Sequence, residues 1–184
     1  MPQKTIEGLH DLMIVKLKTI YEIEQETLKA MPKMEMAATN PELKKGFNMH
    51  YRQTEGQVKR LEEIFGHFGM NPEPEKSDAV RGMIADAEWC IQNIQDADTL
   101  DAALIASAQG IEHLEIAAYG SAAAWAEAMG HKDVKNLLGQ TLEEEKANDE
   151  KLSQLAMSKV NVAADMGEEG EDKSVFGKLQ TAME

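Results

Sequence analysis

A carboxylate on the apolar seam of a long helix limits how this chain can fold. Read as a helix, the segment around Gly110–Tyr119 carries a stripe of Leu104, Ala108, Ile111, Ala118, Ala122, Trp125 and Met129. Glu115 occupies that stripe between Ile111 and Ala118, with Glu112 one turn before it and Tyr119 one turn after. A buried carboxylate is costly unless a cation or a proton donor meets it. The fold must therefore bring matching groups from other helices to this level.

Three further long helices are predicted, each with polar residues near its middle. The first, capped by Thr5 with Glu7 in its opening turn, has the seam Leu9, Met13, Leu17, Ile20, Glu24, Thr27, Met31, Met34, and Pro32 is expected to bend it or break it late. Asn40-Pro41-Glu42 is a strong start for the second, which runs to about Phe65, where Gly66 and Gly69 help to end it. Its seam is Leu43, Phe47, His50, Thr54, Gln57, Leu61, Ile64, with Gln53 one turn after His50. Asn71-Pro72-Glu73-Pro74 reads as a loop, and Ser77 to about Ile94 as a shorter helix. Thr99 is expected to cap the third long helix, which runs to about Met129. The short turn Gly130-His131-Lys132 makes the fourth antiparallel to it, with the seam Val134, Leu138, Thr141, Glu145, Asn148, Leu152, Leu155 and Glu144 beside it.

After Val160 the pattern dissolves. Residues 1–160 read as the bundle and 161–184 as an acidic, flexible tail, in which Val175 to Met183 can form a short helix.

Sliding the chain on itself by 91 residues places Glu24 on Glu115, Gln53 on Glu144 and Arg60-Leu61 on Lys151-Leu152. Two equivalent helix pairs joined by a long crossover describe an all-α, ferritin-like four-helix bundle whose crossover carries the shorter fifth helix.

Nineteen Lys and Arg against 33 Asp and Glu give a formal charge of −14, a field that argues against nucleic acid or anionic membranes as partners. Cys90 is the single cysteine, so no intrachain disulfide can form. The N-terminal residues lack the apolar core of a signal peptide, and no stretch approaches a membrane span. A cytoplasmic protein is the expectation.

The polar residues of the four seams are Glu24; His50 and Gln53; Glu112 and Glu115; and Glu144 and Glu145. Carboxylates converging in a low-dielectric core repel one another and rise in pKa. Metal ions relieve that, with carboxylates bridging and a histidine nitrogen completing the shell. The alternative is a metal-free polar core that only fixes helix packing. Di-metal bundles use a Glu from each of two helices and Glu-x-x-His from each of the others. Here the second helix has His50-x-x-Gln53 and the fourth Glu144-x-x-Ala147 instead. His113 lies beside the seam, while Glu22, Glu26 and Glu143 read as solvated surface.

Five stretches carry a family resemblance: Ala30-Met31-Pro32-Lys33-Met34; His50 followed by Thr54 and Gln57; Asp101-Ala102-Ala103-Leu104-Ile105-Ala106; Glu112-His113 with Glu115-Ile116-Ala117 and Tyr119-Gly120; and Leu142 with Glu144-Glu145-Lys146. On these the chain, from about Lys4 to Val160, resembles the YciE/YciF family of ferritin-like, stress-associated bacterial proteins. The resemblance implies a homodimer and a metal site at the bundle centre, mapped onto Glu24, His50, Glu112, Glu115, Glu144 and Glu145. It also implies Glu at position 53, where this chain has Gln, so one ion could remain where relatives hold two. The cofactor expected is iron or manganese, one or two ions per chain. Three functions stay open: oxygen or peroxide chemistry at the metal, metal binding without turnover, and a metal-free structural role.

Overall fold

The computed structural model describes residues 5–170, and among them there is no strand. The helices are α1 (Leu9–Ala37), α2 (Pro41–His67), α3 (Asp78–Asn93), α4 (Ala97–Ala128), α5 (Lys132–Leu155) and α6 (Asn161–Gly170), with a π-helical segment, Ala156–Val160, between the last two. The helical chain thus runs past Val160, and Val175 to Met183 lie outside the described residues. Among the described residues no helix is long and apolar enough to cross a membrane.

Two starts differ from expectation. Thr5 lies ahead of α1, which begins at Leu9 after Gly8, and the Asp11 carboxylate accepts from the Glu7 amide at 3.2 Å. Thr99 is itself capped, its amide donating to Asp96 at 2.8 Å. At α4 the aspartate, a stronger acceptor than a threonine hydroxyl, takes the capping place, whereas the α1 N-cap, Gly8, makes no side-chain bond. Pro32 does not end α1, which continues to Ala37, because Met31 and Met34 on either side of it are buried. The other signals are met as read: Asn40 accepts from the Glu42 and Leu43 amides, and Ser77 from Val80. α2 and α4 both end in a left-handed glycine, Gly69 (φ 62°) and Gly130 (φ 79°). The next amides, Met70 and His131, reach back to Phe65 and Ala126 at 3.0 and 2.9 Å.

Cross-helix bonds give the directions. Tyr21 pairs with Glu62 and Asn48 with Glu35, so α1 and α2 are antiparallel. Gln109 pairs with Ser153 and Lys135 with Glu127, so α4 and α5 are too. α1 meets α4, and α2 meets α5, also antiparallel, through Thr27–Glu115, Tyr119–Glu24, Arg60–Glu144 and Lys159–Glu42. α4 consequently starts at the opposite end from where α2 stops. α3, about 24 Å long, carries the chain back along α1, with Lys33 on Glu88 and Arg81 on Glu22. That contact corrects the reading of Glu22 as solvated surface: it is 6% exposed and ion-paired under the crossover helix. The fold is the ferritin-like bundle.

Asp101, in the first turns of α4, closes the far end. Its carboxylate accepts from the Thr39 amide, the Thr39 hydroxyl and the Asn40 amide, each at 2.7 Å, and so clamps the α1–α2 turn. Asp101→Ala is expected to cost about 3 kcal/mol, because it orphans two backbone N–H groups beside a buried position. Chemical denaturation checks this, and a loss below about 0.5 kcal/mol would show the clamp to be incidental.

Two apolar clusters form the core of the bundle. One centres on Met13, Leu17, Ile20, Phe65, Tyr119 and Leu138, and the other on Met34, Leu43, Phe47, Leu104, Ile105 and Val160. Between them lies a buried polar layer.

Candidate metal centre

Each long helix contributes to that layer because its seam keeps apolar periodicity above and below and breaks it at one turn. α1 supplies Glu24 and Thr27, α2 supplies His50, Thr54 and Gln57, α4 supplies Glu112 and Glu115, and α5 supplies Thr141 and Glu145. Glu24, Glu115 and Glu145 are 0%, 1% and 0% exposed, as buried as any leucine in the core.

Four of these side chains converge. One donor atom each from His50, Glu112, Glu115 and Glu145 lies within 4.8 Å of all the others. His50 Nε2 stands 3.4 Å from Glu112 Oε1 and 4.0 Å from Glu145 Oε2. Glu24 lies against this group and accepts a short hydrogen bond from the Tyr119 hydroxyl. Thr27 donates to Glu115 at 3.1 Å, and Gln57 donates to Glu145. Each of the four carboxylates nevertheless keeps one oxygen, Oε2, buried with no hydrogen-bond partner.

Burial is the main cause of the electrostatics. It raises Glu24 and Glu115 well above the ordinary carboxylate range, with neighbouring acids adding to the effect. Glu112 is raised by burial and then by its hydrogen bond to Glu145. Glu145 is raised by burial, although its bonds to Glu112 and Gln57 pull it down. The His50 imidazole is pushed down to about 4 by burial and by Lys151, so at neutral pH it is uncharged and has a nitrogen lone pair. Its Nδ1 contacts Asn148 Nδ2 at 2.6 Å, and Asn148 also reaches Gln53 Oε1 at 3.1 Å. Turning both amides over would let Nδ1–H donate to Asn148 and leave Nε2 facing the carboxylates as a ligand.

Of the residues expected at this site, Glu24, His50, Glu112, Glu115 and Glu145 come together. Glu144 and Gln53 do not enter the cluster. Glu144 forms a bidentate pair with Arg60, and this outweighs partial burial and lowers its pKa. Gln53 sits at the edge of the core on Asn148. His113 is exposed and faces Asp149. Gln57, Thr54 and Asn148 sit on the seams and line this layer, but sequence reasoning did not count them as site residues. The 91-residue offset holds the missing signal, since it pairs Thr54 with Glu145 and Gln57 with Asn148. The spacing of two Glu-x-x-His positions is therefore present, filled by Thr54-x-x-Gln57 and Glu145-x-x-Asn148.

The residues fit a cation. Three buried carboxylates and a neutral imidazole each bring a donor atom within reach of one divalent ion, and each of those carboxylates has a buried oxygen without a hydrogen-bond partner.

Comparison with known proteins bears on the family and the fold. Residues 8–165 match the family described as DUF892, a domain of unknown function. The chain belongs to that family. Among its relatives is Protein YciF of Escherichia coli K12, 38% identical over 166 residues that cover 90% of this chain and 98% of YciF. Two solved structures share the fold at TM-score 0.81. One is YcfI from Rhodopseudomonas palustris, 40% identical over 83% of this chain and 98% of its own. The other is the E. coli stress protein YciF, 36% identical over 85% and 99%. A Xanthomonas campestris protein, 19% identical at TM-score 0.69 over 89% of this chain and 99% of its own, shares the fold alone. The YciF resemblance read from the seam residues is thereby established.

Proposed function

We propose that this chain is a metal-binding stress protein that holds one iron or manganese ion at His50, Glu112, Glu115 and Glu145, with Glu24 beside it. The observation that carries this reading is the convergence of Glu112, Glu115 and Glu145, each with a buried oxygen that has no hydrogen-bond partner, on a neutral imidazole. A single ion is favoured because the first hairpin offers Thr54 and Gln57 where the second offers Glu145 and Asn148. When bound, such an ion supplies redox chemistry toward oxygen or peroxide. The chain's own part is to hold these side chains at one level between two apolar clusters and to keep Tyr119 O–H on Glu24.

The test is elemental analysis of protein purified without chelators. The expected result is close to one transition-metal ion per chain, falling to a small fraction in Glu145→Gln. A second reading, a metal-free polar core, is favoured by the hydrogen bonds that Tyr119, Thr27 and Gln57 already give to Glu24, Glu115 and Glu145. It predicts no stoichiometric metal in either protein. A homodimer in the cytoplasm completes the proposal, supported by exposed small residues on α4 such as Ala117 and Ala124. Sedimentation of the same preparation checks the oligomeric state.

A further inference from the structure

Next to the polar layer the bundle is not filled. A cavity of about 470 Å³ lies among the four long helices, with Met31, Met34, Leu43, Phe47, Ile111 and Leu155 in its apolar walls and His50 and Glu112 at one side. Its exposed lining residues, Glu42, Lys45, Gly46, Met49 and Lys151, all belong to α2 and α5, so it opens along the seam between those helices. The volume falls within the range of small-molecule pockets.

The charge at the mouth is opposite to that of the chain. The net charge is −14, yet the one acid at the opening, Glu42, is tied to Lys159. Lys45 and Lys151, on opposite lips, have no ion-pair partner among the described residues. Two unpaired ammonium groups beside an apolar hole select a molecule with an anionic head and an apolar body. The lining of α2 from Glu42 to Gln53 extends about 16 Å at the helical rise. That is close to half of the roughly 30 Å hydrocarbon thickness of a bilayer, the depth one acyl chain fills.

We propose that the cavity between α2 and α5 binds a single-chain amphiphilic carboxylate, a fatty acid of medium length, with its head at Lys45 and Lys151 and its chain among the methionine and leucine walls. The site borders the candidate metal centre, but its occupancy does not depend on an ion. Metal-stripped protein therefore tests it separately from the metal reading.

The experiment is calorimetric titration of EDTA-treated full-length protein with dodecanoate and, in parallel, with dodecyltrimethylammonium, which has the same chain and the opposite charge. The expected result is saturable binding of dodecanoate at one per chain, at least tenfold tighter than the cation. Both lysines are exposed, so K45E/K151E should fold normally, and it should reverse that preference. Ala108→Phe, which fills the hole from α4, should remove binding of both. The proposal is overturned if folded protein does not saturate with dodecanoate, or if the charge reversal leaves the preference unchanged. It is equally overturned if K45E/K151E alters the sedimentation state while dodecanoate fails to bind, because the mouth is then the seat of a second copy of the chain.

Discussion

Metal-free Glu115→Gln is expected to melt higher than the metal-free parent at pH 7, by several degrees for a chain of this size. The cause is the proton that Glu115 must take up on folding. Its ordinary value is 4.5, and burial with Glu24 and Glu145 as neighbours raises it well above that. A carboxyl whose folded pKa lies above its unfolded value binds a proton in the native state that the unfolded chain has released. Stability then falls with rising pH, by up to about 1.4 kcal/mol per unit, from 4.5 until the folded pKa is passed. Glutamine keeps the shape and carries no such proton. The advantage of the variant should therefore vanish near pH 4.5 and grow toward neutrality. Thermal melts of both proteins in EDTA between pH 4.5 and 8 measure the difference directly. Equal stability across that range would mean that Glu115 does not take up a proton on folding, and the electrostatic account of the polar layer would fail.

Metal loading should show the opposite pH dependence. His50 is already uncharged at neutral pH, so it releases no proton when an ion arrives. Glu112 and Glu115 are raised in the metal-free protein and must become carboxylates to serve as ligands. Roughly two protons should leave per ion bound, which makes the affinity rise about a hundredfold per pH unit near neutrality. Titrating manganese in two buffers of different ionisation enthalpy gives the proton count. Saturating metal at a thousandfold excess over its Kd should add about 4 kcal/mol of stability. An affinity flat with pH, together with no proton release, would show the ligands to be ionised beforehand. The two experiments then constrain each other, since protons absent from the second must also be absent from the first.

Much of this was legible in the sequence, for identifiable reasons. The seams repeat at the helical period with Glu24 and Glu115 on them, so their burial followed from position alone. The start at Asn40-Pro41 and the end at Gly130 are local chemistry and needed no tertiary information. What failed depended on partners from other elements. Glu144 and Glu145 are adjacent, and the choice between them is made by Arg60, one helix away, which draws Glu144 out of the core. Glu22 read as surface because nothing local says that α3 will lie over it and bring Arg81. The three bonds to Asp101 join residues about sixty positions apart, beyond any windowed pattern.

Four hydrogen bonds of the central layer share one property. Thr27 to Glu115, Tyr119 to Glu24, Gln57 to Glu145 and Asn148 to His50 all join the α1–α2 hairpin to the α4–α5 hairpin. Arg60 to Glu144, Lys159 to Glu42 and the Asp101 clamp do the same. The two halves are alike in backbone but carry complementary chemistry, so each recognises the other rather than itself. Two copies of the second half laid together would set Glu112, Glu115 and Glu145 against their own likenesses. Two copies of the first would offer the Gln57 and Arg60 donors no such acids, because Thr54 and Gln53 stand where the second half has Glu145 and Glu144. Exchange of hairpins between neighbouring chains is thus channelled to one pairing, first half with second half, by charge and hydrogen bonding rather than by shape.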